Sequence, residues 1–117
     1  MEKELNLENM LEKLDSKSSL KDIQNYSDTM IKVRGFEDET PQDIMLLLTE
    51  EIGELAKEVR KASTKIKCDI NSNNESHLAN ELADVFNYIL AMCKVYDLDL
   101  LEIYKSKEKI NLKRKWN

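Results

Sequence analysis

Apolar residues recur along this chain at intervals of three and four, and no stretch alternates convincingly at period two. That spacing predicts helices throughout. Leu5, Leu7, Met10, Leu11 and Leu14 mark a short amphipathic helix from Met1 to about Lys17. The run Ser16-Lys17-Ser18-Ser19 ends it and offers hydroxyls suited to helix N-caps. A second helix is expected from Leu20 to Val33, with Gly35 placed to stop it. Thr40-Pro41-Gln42-Asp43 is the clearest start signal. Thr40 suits the cap, Pro41 the first helical position, and Asp43 the positive end of the dipole. The helix it opens should reach about Ala62. A polar connection from Ser63 to Glu75 follows, including Asn71-Ser72-Asn73-Asn74. Ser76 is expected to cap a helix reaching Tyr96. Asp97 or Asp99 then opens a last one, expected to run to Lys113-Arg114-Lys115-Trp116. The predicted class is all-α, a four-helix-bundle core (residues 20–117) with an extra N-terminal helix (residues 1–19).

The acids are placed oddly on these helices. Each residue advances about 100° around the axis, so Ile44, Leu47, Leu48, Ile52, Leu55 and Val59 form one wide apolar stripe, and Glu51 projects inside it. Glu58 lies nearby, Glu54 sits at the stripe's edge, and Glu50 falls toward the polar side. The helix from Ser76 repeats the pattern. Leu78, Leu82, Val85, Phe86, Ile89, Met92 and Cys93 define its expected core face, and Glu81 and Asp84 project along the flank. Like charges three or four residues apart destabilise a helix by about 0.2–0.5 kcal/mol per pair, and burying them unpaired costs several times more. A solvated glutamate face is the plain alternative for the first helix, and a favourable N-terminal dipole for the second. Both lose ground to a single remedy: the two acid pairs face each other and share a cation. An all-oxygen donor set suits Mg²⁺ or Mn²⁺ better than zinc or copper. A di-iron carboxylate bundle would need Glu-x-x-His pairs, which are absent.

Composition narrows the picture further. The 117 residues make one domain, and 2 Gly with 1 Pro supply few tight turns. With 35% charged and 41% hydrophobic residues, the chain retains enough apolar content for a core. A formal net charge of −5 gives no broad footprint for nucleic acid or for an anionic membrane. The two cysteines, Cys68 and Cys93, fit neither a disulfide framework nor a zinc site; they read as a loop thiol and a core filler. The acid-bearing N-terminus lacks the apolar stretch of a signal peptide, and no run reaches the ~20 apolar residues of a membrane span. A cytoplasmic protein is expected.

Glu50-Glu51-Ile52-Gly53-Glu54 followed by Glu81-Leu82-Ala83-Asp84 spells E-E-x-x-E … E-x-x-D. This resembles the signature of the MazG-like all-α nucleoside triphosphate pyrophosphohydrolases. Arg34-Gly35-Phe36 before the Thr40-Pro41 helix start, the run Gly53-Glu54-Leu55-Ala56, and Lys107, Asn111 and Arg114 as K-x-x-x-N-x-x-R extend the likeness over roughly Ile23 to Trp116. The family often has Trp where this chain has Phe36.

The resemblance implies a magnesium-dependent hydrolase that cleaves a nucleoside triphosphate to monophosphate and pyrophosphate, in nucleotide-pool housekeeping. It implies Glu51, Glu54, Glu81 and Asp84 as metal ligands for Mg²⁺ or Mn²⁺, and Glu50 as the group that orients or deprotonates the attacking water. Lys107, Asn111 and Arg114 fall at i, i+4 and i+7, one face of the expected last helix, where they would donate to phosphates. The alternative is a non-catalytic helical module that senses a nucleotide or binds a protein. Short, very apolar helices would leave core face exposed in a lone chain. Together with the family's habit, this predicts a homodimer or homotetramer with the active site near a subunit interface.

Overall fold

The computed structural model describes residues 1–69 and 76–116. Its five helices are α1 (Glu2–Lys13), α2 (Leu20–Val33), α3 (Pro41–Ser63), α4 (Leu78–Val95) and α5 (Leu100–Asn111), with no strand among the described residues. The expected all-α architecture is the observed one. The Asn71-Ser72-Asn73-Asn74 part of the predicted connection lies outside the described residues.

The helix boundaries follow from local chemistry. At the start of α2, Ser19 Oγ accepts the Asp22 N–H at 3.0 Å and the Asp22 carboxylate accepts the Ser19 N–H at 2.9 Å. Thr40 and Asp43 form the same reciprocal pair at α3, at 3.1 and 2.9 Å, and Pro41 takes the first helical position. Each pair satisfies two N–H groups that a helix start would otherwise leave unpaired. Gly35, at φ +76, ends α2: its N–H reaches Lys32 O and the Phe36 N–H reaches Ile31 O. Asp97, at φ +52, repeats that ending for α4, with the Leu98 N–H on Cys93 O. Asp99, not Asp97, therefore caps α5, accepting the Glu102 N–H at 3.1 Å.

Two expected ends move. α1 stops at Lys13 because Asp15 folds its own turn: its carboxylate accepts the Lys17 N–H at 2.8 Å, and its N–H donates to Ser18 Oγ at 2.9 Å. The last helix stops at Asn111, short of the predicted Trp116. Beyond it the chain turns, with the Arg114 N–H on Asn111 O, and the Trp116 indole N–H donates to that same carbonyl at 3.4 Å. The turn and the indole supply partners for a carbonyl that further helix would have used.

The residues group into two compact units: Met1–Glu39 with Leu90–Asn117, and Thr40–Ile89. In the first, α1 and α5 pack on α2. Leu7, Met30, Ile31, Leu90, Ala91 and Cys93 are its buried apolar residues. Burial pushes the Cys93 thiol pKa up, and the Asp28 and Asp99 charges add to the effect. Gln24 is buried and spends both ends of its amide on the turn before α5, with Nε2 on Leu98 O at 3.0 Å and Oε1 on the Leu100 N–H at 2.9 Å. That pair reproduces, from a side chain, the bonds a neighbouring backbone would make.

Among the described residues of the second unit, Ile44 is the buried apolar one. Other members of the predicted α3 stripe are half-buried (Leu47, Leu48, Leu55) or exposed (Ile52, Val59). The expected core face of α4 also needs correction, since Leu82 and Ile89 are exposed while Leu90 and Ala91 are buried. The helix serves both units, 78–89 in one and 90–95 in the other, so its buried side is not a single stripe.

Candidate metal centre

Within the Thr40–Ile89 unit, α3 presents Glu51 from its middle turns, and α4 presents Glu81 and Asp84 from its first two. At i and i+3, Glu81 and Asp84 lie on one side of α4. Each of the three half-buried carboxyls offers an oxygen, and these oxygens all lie within 4.8 Å of one another.

Three like charges in so small a volume do not coexist without help. Here the Glu51 carboxyl hydrogen-bonds to Glu81, and this bond, with partial burial and the charges of Glu81, Asp84 and Glu50, raises its pKa from 4.5 to about 7. Glu81 Oε2 is buried without a hydrogen-bond partner. A hard divalent cation fits both features, because it offsets the crowded negative charge and gives the unpartnered oxygen a partner in an all-carboxylate donor set.

The neighbouring acids are arranged differently. Glu50 and Glu54 are exposed on α3, outside the three-carboxyl cluster. Glu58, two turns beyond Glu51, is 5% exposed. Its Oε2 accepts the His77 backbone N–H at 2.8 Å, and its Oε1 faces Lys61 Nζ at 3.5 Å. The His77 N–H, helped by Lys61, holds the Glu58 carboxyl below the usual carboxylate range. Sequence reasoning saw Glu58 only as one more acid near the stripe. A lysine three residues on was a hint to an ion pair, but nothing in the sequence pointed to His77.

The three C-terminal candidates belong to the other unit. Lys107 is exposed on α5 and Asn111 is its last residue. Asn111 Nδ2 donates to Glu108 at 3.3 Å, while its Oδ1 is buried without a partner. Arg114 lies three residues past the helix end, so the expected single helical face holds for Lys107 and Asn111 but not for Arg114.

The chain resembles known proteins in sequence and in fold. Residues 39–116 match the family model of the MazG nucleotide pyrophosphohydrolase domain. The crystal structure of YPJD from Bacillus subtilis, described as a candidate pyrophosphatase, superposes with a TM-score of 0.71 at 27% identity. The match covers 86% of this chain and 100% of that one. No curated protein matches the sequence.

Proposed function

The chain belongs to the MazG nucleotide pyrophosphohydrolase family, and from that premise we propose that it hydrolyses nucleoside triphosphates, with a divalent cation held by Glu51, Glu81 and Asp84. The observation that carries this reading is the meeting of those three carboxyls from two helices within 4.8 Å. Glu54, one turn along α3, would complete the ligand set.

The reaction adds water across the α–β phosphoanhydride, giving a monophosphate and pyrophosphate. Mg²⁺ or Mn²⁺ in this site supplies charge neutralisation at phosphate oxygens and acidifies coordinated water. The chain's own work is then modest. Glu50, adjacent to Glu51 and open to solvent, accepts the proton of the attacking water. The family resemblance assigns Lys107, Asn111 and Arg114 as candidate donors to phosphate oxygens. The physiological role is clearance of unwanted nucleotides in the cytoplasm.

A homo-oligomer is part of the same reading. Met45, Leu46, Ile52 and Leu82 are 52%, 72%, 48% and 53% exposed, on the two helices that carry the acids. A second copy of the chain would cover them.

The direct test incubates purified protein with a panel of dNTPs and NTPs plus Mg²⁺ and resolves the products. Monophosphate and pyrophosphate in equal amounts support the proposal. Orthophosphate release, or no turnover by any substrate, overturns it. Tight nucleotide–Mg²⁺ binding without product would instead identify a non-catalytic sensor.

A further inference from the structure

Helices α2, α3 and α5 each begin on a local cap, supplied by Ser19, Thr40 and Asp99. The start of α4 is built differently. Ser76 Oγ takes the Leu78 N–H only at 3.4 Å, whereas the His77 N–H is taken at 2.8 Å by Glu58 from α3. A local cap fixes where a helix starts in its own chain. A cap reaching over from another helix also fixes where that start lies along its neighbour.

The positions on either side of this bond give it a consequence. Glu51 precedes Glu58 by seven residues on α3, and Asp84 follows His77 by seven on α4. Seven residues are two helical turns, about 10 Å of rise. The Glu58–His77 bond and the Glu51–Glu81–Asp84 cluster are therefore two rungs joining the same pair of helices inside one unit. One rung is a set of mutually repelling carboxyls. The other is a charge-assisted hydrogen bond. Glu58 is 5% exposed and its ion-pair partner Lys61 has a side chain only 8% exposed. A buried ion pair is poor evidence of stabilisation for its own sake.

We propose that Glu58 is a positioning residue which, through the His77 N–H, holds Glu81 and Asp84 level with Glu51 and so preorganises the cation site. This rests on the metal-site reading given under the proposed function.

The test measures Mn²⁺ affinity directly, by the loss of the free-ion paramagnetic resonance signal, on the full chain without nucleotide. Wild type, Glu58→Gln and Glu58→Ala are compared, with circular dichroism confirming that each is folded. Glu58→Gln keeps a carbonyl oxygen for the His77 N–H and should bind within about threefold of wild type. Glu58→Ala removes the acceptor and should bind about 10–100-fold more weakly, the usual penalty for losing a group that orients metal ligands. Should Glu58→Ala unfold, His77→Pro carries the comparison, since it deletes the donor near a helix start where proline is tolerated. Equal affinity in wild type and the acceptor- or donor-deleted variant overturns the inference, and so does a glutamine variant as weak as alanine. Failure of wild type itself to bind Mn²⁺ would sink the metal-site reading instead.

Discussion

Glu51 and Glu81, thirty residues apart on different helices, bring carboxyl oxygens within 4.8 Å of each other. The Glu51 pKa is raised to about 7 in the folded protein from an ordinary 4.5. A raised carboxyl pKa contributes stability that is complete below the unfolded value and is lost as pH rises through the folded one. In chelator, the melting temperature should therefore fall between pH 5.5 and pH 8. Glu58 has the opposite sign, because its pKa is depressed, and its contribution fades only as pH falls below about 4.5. It stays out of the window. Differential scanning fluorimetry across this range, repeated with Mg²⁺ and with Glu51→Gln, should show the fall abolished in both. A melting temperature that climbs with pH in chelator would contradict the raised Glu51 pKa.

Removing a ligand charge should separate catalysis from folding. Glu51→Gln and Asp84→Asn are expected to reduce pyrophosphate release more than about a hundredfold, beyond the usual loss for groups outside the ligand set. Both should unfold at or above the wild-type temperature in chelator, since each removes repulsion. An active Asp84→Asn would remove that residue from the site.

Gln24 is the polar keystone of the first unit, and no apolar residue can take its place. Gln24→Leu leaves Leu98 O and the Leu100 N–H without their partner, at a cost of about 2–3 kcal/mol. Urea denaturation followed by circular dichroism reads this directly. An unchanged midpoint would mean that water replaces the amide.

The two left-handed helix ends should respond in opposite directions. Gly35 has φ +76 and nothing within 4 Å of a built Cβ, so Gly35→Ala is a conformational penalty without a clash, about 1 kcal/mol. Asp97 holds φ +52 with a side chain in place, so Asp97→Gly should stabilise by about 0.5–1 kcal/mol. Thermal melts of the pair give the comparison.

Leu46, at 72% exposure on α3, is the sharpest probe of assembly. Leu46→Lys should convert the oligomer to monomer in size-exclusion chromatography with light scattering. A wild-type monomer at the same concentration would remove the proposal that a second copy covers this face.

The starts of α2 and α3 were legible because their capping is local: Ser19 with Asp22, and Thr40-Pro41 with Asp43, lie within four residues; the expected Ser76 cap of α4 gave way to Glu58 from α3. Glu51 was legible because a carboxylate inside an apolar stripe violates helix amphipathicity. What escaped prediction depends on partners distant in sequence. Nothing near Leu90 marks it as the buried face of α4 in preference to Leu82, and nothing near Glu58 names His77 as its partner. The end of α5 was missed for a related reason: Lys113 and Arg114 are good helix formers, and the turn that replaces the helix is completed by Trp116, two and three residues beyond them.

That indole is also the sequence's single tryptophan. Because its N–H rests on the Asn111 carbonyl at 3.4 Å while the residue is 74% exposed, the protein carries a native fluorophore tethered to the end of α5. Its emission reports on the last turn of that helix without any label, and quenching by added solutes reads how open the tail is in each solution condition.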